Sequence, residues 1–172
     1  MFIDRDVDES EFHNRQDIKK ITFGPNARYI DHGAFQHCYN LEEIIMTNVL
    51  AIEDWAFYRC RRLRNVKLNV GLLRIGFAAF NYCKELTNIA FEEGLKTIHT
   101  AAFADCLKLE NVKFPKSLTR IESLAFGGCP INNVELHNIT FIGYRAFDNI
   151  NEDIVDGLNE CNYNYSSNSI SR

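Results

Sequence analysis

The chain has 172 residues, 46% of them hydrophobic, and 19 lysines and arginines against 23 aspartates and glutamates give it a formal charge of −4. That is enough apolar material for one folded domain, and the acidic balance offers no electrostatic reason to expect nucleic acid or an anionic membrane as partner. No stretch approaches the roughly 18 apolar residues of a membrane-spanning helix, so no membrane insertion is expected.

In chain order, the first segment is "MFIDRDVDESEFHNRQD". It carries acidic groups throughout and has neither the apolar core of a signal peptide nor the composition of a transit peptide. Residues 1–17 are read as an acidic segment or partial cap. "IKKITF", Ile18 to Phe23, then opens a pattern that recurs along most of the chain. Full copies of one frame follow as "IDHGAFQHC" from Ile30, "IEDWAFYRC" from Ile52, "IGFAAFNYC" from Ile75, "IHTAAFADC" from Ile98 and "IESLAFGGC" from Ile121. A degenerate copy, "IGYRAFDNI" from Ile142, has Ile150 in the cysteine position.

The aromatic of each Ala-Phe pair falls at Phe35, Phe57, Phe80, Phe103, Phe126 and Phe147, with spacings of 22, 23, 23, 23 and 21. Between frames the pattern is L-x-x-[IV]-x-[LF], as in Leu109, Val112 and Phe114, and the copy "CPI" at Cys129 is one residue short. A fixed period of this length is the signature of a solenoid. The alternation in "NVKF", Asn111 to Phe114, predicts a short strand with Val112 and Phe114 inward and Asn111 and Lys113 outward. One strand per repeat has no partner inside its own copy. It must pair with the equivalent strand of the next, about 4.8 Å away, so that a parallel sheet grows by one strand per repeat. The rest of each copy is too short for a long helix and is expected to return through a second extended piece and a tight turn. A single copy cannot offset an ordering cost of about 1.5 kcal/mol per residue, so stability must come from stacking.

Five of the six cysteines (Cys38, Cys60, Cys83, Cys106, Cys129) share one column, which belongs to the repeat and not to a disulfide or zinc plan. Cysteine is small, readily buried and a weak donor, suited to a turn where its thiol meets a neighbouring carbonyl. At the C-terminal end, Ile150, Ile154, Leu158 and Cys161 fall near helical spacing, and a short amphipathic helix is expected to cover the last strand's edge. The organisation read from the sequence is therefore 1–17, a solenoid over 18–150, and a capping segment with a polar tail over 151–172.

The frame I-x-x-x-A-F-x-x-C followed by L-x-x-[IV]-x-[LF] resembles the BspA-like leucine-rich repeat family, most closely in "FPKSLTRIESLAFGGC", Phe114 to Cys129. Only Pro115 keeps that family's proline. The resemblance implies an α/β-type repeat solenoid: a curved, right-handed leucine-rich repeat with a parallel concave β-sheet, short return segments and little helix. Such repeats serve as binding scaffolds, and the fold alone does not specify function.

Candidate binding residues are the outward strand positions. One column runs through Glu43, Asn65, Asn88, Asn111 and Asn133, and the next through Ile45, Lys67, Lys113 and Glu135. The asparagines either hydrogen-bond along the sheet or line a polar groove for a protein or glycan, and both readings stand. Arg59, Arg61, Arg62, Arg64 and Lys67 form a local basic patch, read either as a solvated turn or as a site for an acidic partner or phosphate groups. Trp55 and Phe77, with Leu124 and Tyr144 near the same columns, read equally as interface anchors or as a seam.

The five histidines occupy different repeat positions, and no phosphate loop, nucleophile elbow or H-E-x-x-H motif is present. No catalytic, cofactor or metal site is expected. The expectation is a non-catalytic scaffold binding a protein partner through its concave face and rims, monomeric or weakly dimeric through its ends. The alternative is a cell-surface adhesin or receptor-like module for host proteins or glycans. The lack of a signal peptide and the unpaired cysteines favour a cytoplasmic location, with the cell surface open if a leader precedes Met1. The sequons at Asn138 and Asn164 matter only on the second reading.

Overall fold

The computed structural model describes residues 1–131, 133–147 and Val155–Asp156. The chain winds as a parallel-strand β-solenoid of about six turns, with no helix among the described residues. In chain order the strands are β1 (Phe2–Ile3), β2 (Lys20–Phe23), β3 (Tyr29–Ile30), β4 (Glu43–Ile45), β5 (Ala51–Ile52), β6 (Asn65–Lys67) and β7 (Arg74–Ile75). They continue as β8 (Asn88–Ala90), β9 (Thr97–Ile98), β10 (Asn111–Lys113), β11 (Arg120–Ile121), β12 (Val134–Glu135), β13 (Phe141–Ile142) and β14 (Val155–Asp156).

The return pieces are themselves strands. β3, β5, β7, β9, β11 and β13 make one unbroken six-stranded parallel sheet in which each leading isoleucine sits beside the next, Ile75 beside Ile98 and Ile98 beside Ile121. The longer strands behave differently. Their hydrogen-bonded ladder falls into three parts, β1-β2-β4-β6, β8-β10 and β12-β14, where the repeat alone predicts one continuous sheet. Both breaks follow a strand centred on a half-buried valine, Val66 or Val112, whereas Ile21, Ile44, Ile89 and Val134 at the same position are buried. At the second break the shortened copy "CPI" also brings the chain to β12 one residue early.

The Ala-Phe segments stack as a third ladder. In each turn from Phe35 to Phe126 the residue two before the phenylalanine and the residue two after it adopt left-handed backbone, among them Trp55 (φ 55) and Arg59 (φ 60), Ala78 (φ 50) and Tyr82 (φ 62), Ala101 (φ 55) and Asp105 (φ 58). Non-glycine residues there cost of order 1–2 kcal/mol each. The gain is a set of N–H groups directed at the next turn. Trp55, Phe57 and Arg59 donate to the carbonyls of Phe77, Ala79 and Asn81, while Tyr58 and Cys60 close four-residue turns inside their own copy. Both sides of the turn backbone are thereby paired, which a buried segment requires.

Inside this ladder the rings from Phe35 to Phe147 form a stack, with centroids 5.1–5.3 Å apart and planes within 13° from one turn to the next. Ala34, Ala56, Ala79, Ala102, Ala125 and Ala146 are fully buried beside it. The cysteine column is the stack's counterpart. Each thiol donates to the carbonyl of the phenylalanine one turn earlier, Cys60 Sγ to Phe35 at 3.3 Å and Cys106 Sγ to Phe80 at 3.2 Å, as the turn reading of that column expected. The five described cysteines are free and buried.

Residues 1–17 carry the same contacts. β1 pairs with β2, Val7 bridges Ile30, and Ser10, Phe12 and Asn14 donate to the carbonyls of His32, Ala34 and Gln36. Phe12 stacks on Phe35 at 5.1 Å, and Ser10 (φ 54) and Asn14 (φ 59) take the two left-handed positions. At the other end, the helix expected across 150–161 lies mostly outside the described residues. Within that span Val155–Asp156 is a strand paired with Val134–Glu135, because a further turn of the ladder satisfies the β12 edge directly.

Candidate interaction surfaces

The outward positions of the longer strands come together on one face. Glu43 lies beside Asn65 and Ile45 beside Lys67 across β4 and β6, and Asn88 lies beside Asn111 across β8 and β10. Asn65, Lys67, Asn88, Asn111, Lys113, Asn133 and Glu135 are exposed, and Glu43 and Ile45 are half-buried. Glu43 is engaged by Lys20 at 2.7 Å. Among the described residues no asparagine amide bonds to another along this column; the Asn88 side chain donates instead to Thr87 Oγ1 at 3.2 Å. The hydrogen-bonding capacity of the column therefore faces solvent.

The break between β10 and β12 opens this face into a cleft of about 420 Å³. Its lining combines Asn111, Lys113, Asn133 and Glu135 with Glu110, Val112, Phe114 and His137. The second group was not singled out from the sequence. Phe114 and Val112 occupy inward positions, and only the short copy at Cys129 signalled that the wall beside them would open. His137 Nε2 stands 3.6 Å from Glu135 Oε1 on the rim.

The basic residues separate by environment. Arg64 reaches Glu85 at 3.8 Å, and Lys108 holds the same carboxylate at 2.8 Å, which keeps Glu85 below the usual carboxylate range. The Arg59 guanidinium lies over the rings of Tyr58 at 5.1 Å and Tyr82 at 5.3 Å, and that of Arg61 over Tyr39 at 5.0 Å. His37 joins this strip, its Nδ1 2.6 Å from the Tyr39 hydroxyl. Burial first, then the positive charges of His13, Arg59 and Arg61, hold its imidazole below the ordinary histidine range. The tyrosines were missed because they stand at different offsets from their phenylalanines and form no column.

His32, Trp55 and Phe77 make an edge-to-face row with centroids 4.8 and 5.0 Å apart. Trp55 is half-buried in it and Phe77 is exposed. Leu124 and Tyr144 are exposed two and three turns further along. The row joins the two readings left open for it: it is a seam between turns with an exposed outer edge.

Among the described residues no cluster of three or more histidine, cysteine or acidic groups is arranged to hold a metal ion. No helix there is long and apolar enough to cross a membrane. Burial raises the thiol pKa values, to about 11 at Cys38 and further at Cys60, Cys83 and Cys106, so these groups are structural donors and not nucleophiles at neutral pH.

A stack of parallel two-strand turns with one aromatic and one cysteine column defines a leucine-rich repeat solenoid. The family model described as the BspA type leucine rich repeat region matches residues 5–69 and 29–153, in six copies, and the chain belongs to this family. Three solved structures show the same fold. A leucine-rich repeat protein from Bacteroides ovatus is 28% identical with a TM-score of 0.72, the alignment covering 80% of this chain and 36% of that one. A leucine rich cell surface protein from Faecalibacterium prausnitzii is 25% identical with a TM-score of 0.72, over 83% and 40%. The leucine rich repeat protein of T. pallidum is 25% identical with a TM-score of 0.74, over 81% and 66%. The chain thus spans between about a third and two thirds of these proteins' length. None of the curated proteins searched matches the sequence.

Proposed function

We propose that this solenoid is a non-catalytic scaffold that binds a protein partner across the face of its longer strands, through Glu43, Ile45, Asn65, Lys67, Asn88, Asn111, Lys113, Asn133 and Glu135. The observation that carries this reading is the 420 Å³ cleft at the β10 and β12 break, lined by four of those residues and floored by half-buried Val112 and Phe114. A concave site with an apolar floor and a polar rim suits an anchoring side chain from a partner. The asparagine amides around it have no intramolecular ladder to give up on binding. The test is affinity capture from source-cell lysate with the wild-type chain and with Asn88→Arg/Asn111→Arg, circular dichroism verifying the fold. Selective loss of one identified protein from the variant is expected. Retention of every wild-type partner at equal yield would remove this face from consideration.

A second reading, a module of a larger cell-surface chain, is favoured by the similarity to the Faecalibacterium prausnitzii leucine rich cell surface protein. On that reading the exposed Asn138 sequon becomes relevant. Labelling of intact source cells with a membrane-impermeant amine reagent should mark the protein; complete protection would rule the reading out.

A further inference from the structure

We propose that the arginine and tyrosine strip on the turn after Phe57, formed by Arg59, Arg61 and Arg62 with Tyr39, Tyr58 and Tyr82, is a docking site for a short carboxylate-rich segment of a protein partner. It is separate from the strand-face site and does not depend on it. The inference starts from charge. The protein carries a net −4, yet among the described residues no carboxylate lies within ion-pair distance of these three arginines, while Arg5, Arg15, Arg64, Arg74 and Arg120 each have at least one. Cations left unpaired together on an acidic surface are matched to an anion from outside.

Geometry adds preorganisation. Tyr58 and Tyr82, on successive turns, flank the Arg59 guanidinium, and Tyr39 supports that of Arg61. A planar cation resting on a ring keeps its N–H groups directed outward and loses less rotamer freedom on binding. Its fork fits a carboxylate with two parallel hydrogen bonds, the recognition mode of arginine clusters for acidic motifs. Arg61 and Arg62 are exposed, and Arg62 makes no contact that binding would have to break.

The extent of the patch selects among anions. Toward the strand face the next residues are Arg64, which pairs with Glu85 and donates its backbone N–H to the Glu42 carbonyl, and Asn65, which lies beside Glu43; Asp105 follows Tyr82 at the same position one turn on. A membrane surface or a nucleic-acid backbone would bring continuous negative charge against those carboxylates. A segment bearing a few glutamates or aspartates covers the cations alone.

The test is fluorescence anisotropy with a fluorescein-labelled oligoglutamate peptide, titrated at low and physiological salt. Arg61→Glu/Arg62→Glu is expected to weaken binding at least about tenfold, since charge-assisted hydrogen bonds are lost. Lys96→Glu/Lys116→Glu makes the same change in net charge in the loops entering the second sheet, and is expected to stay within about twofold of wild type. Arg62→Glu alone repeats the test at an exposed residue that makes no hydrogen bond, ion pair or ring contact among the described residues, should the double variant fail to fold. Absence of peptide binding by the wild-type chain, or equal weakening by the lysine pair, overturns the proposal. So does binding of phosphatidylserine vesicles or duplex DNA as tight as the peptide's and equally sensitive to Arg61→Glu/Arg62→Glu, which would make the strip a general anion surface.

Discussion

Replacing Phe103 by alanine tests whether stacking between turns holds the solenoid together. Its ring is fully buried and lies between Phe80 at 5.1 Å and Phe126 at 5.3 Å, both nearly parallel, with the edge of Phe91 against it at 5.5 Å. Removing a core phenylalanine costs about 3–5 kcal/mol. Loss of two stacked faces, each contributing about 0.5–1.5 kcal/mol, places this site in the upper half of that range. Phe12 supplies the internal comparison. It is half-buried and stacks on one side only, against Phe35, so Phe12→Ala should cost about 2 kcal/mol. Urea unfolding followed by circular dichroism and by Trp55 fluorescence measures both losses. A chain this long should also lose roughly 8–20 °C in Tm at Phe103. Equal losses at the two sites, or less than about 1.5 kcal/mol at Phe103, would show that stability does not arise from neighbouring turns in this way.

Asn69 is the one buried polar residue among the described residues, and its amide takes the place of a strand ladder by bonding both the N–H and the carbonyl of Val49 at 3.0 Å. Asn69→Ala leaves those groups unpaired and should cost about 2–4 kcal/mol in the same urea assay, whereas Leu73→Ala nearby, half-exposed, should cost under about 1 kcal/mol. At Gly76 a Cβ would stand 2.7 Å from the Asp54 backbone nitrogen, so Gly76→Ala should destabilise by about 1–3 kcal/mol despite improved strand propensity; a neutral result would mean the turns can separate there. Stability should also fall at high pH. The thiols of Cys38, Cys60, Cys83 and Cys106 have raised pKa values, about 11 at Cys38, against an ordinary value of 9.0. Below pH 9 they are protonated in both states. Between about 9 and 11 the unfolded chain ionises first, favouring unfolding by about 1.4 kcal/mol per pH unit for each such thiol. Urea midpoints that stay flat from pH 8 to 10.5 would contradict thiol burial.

The columns were legible in the sequence because a solenoid requires like residues to meet their equivalents above and below. Phe103 can stack on Phe80 and Phe126 only if the phenylalanine returns at the repeat length, so the period discloses both the fold and the register. Residues 1–17 escaped because that turn keeps only part of the frame: Val7 and Phe12 stand one repeat before Ile30 and Phe35, but Glu11 replaces the alanine and no cysteine follows. The left-handed positions escaped for the opposite reason. Backbone geometry repeats there while side chains vary from glycine to tryptophan, so no residue type marks the column. What the period could not disclose is what breaks it: the valines at the sheet breaks, the short copy beside the cleft, and three tyrosines that meet two neighbouring arginines from different offsets. Recognition needs residues that differ from turn to turn, because a surface identical in every copy has no register for a partner to select. The two proposed surfaces lie where the pattern is interrupted, on a frame whose regularity holds those interruptions in place.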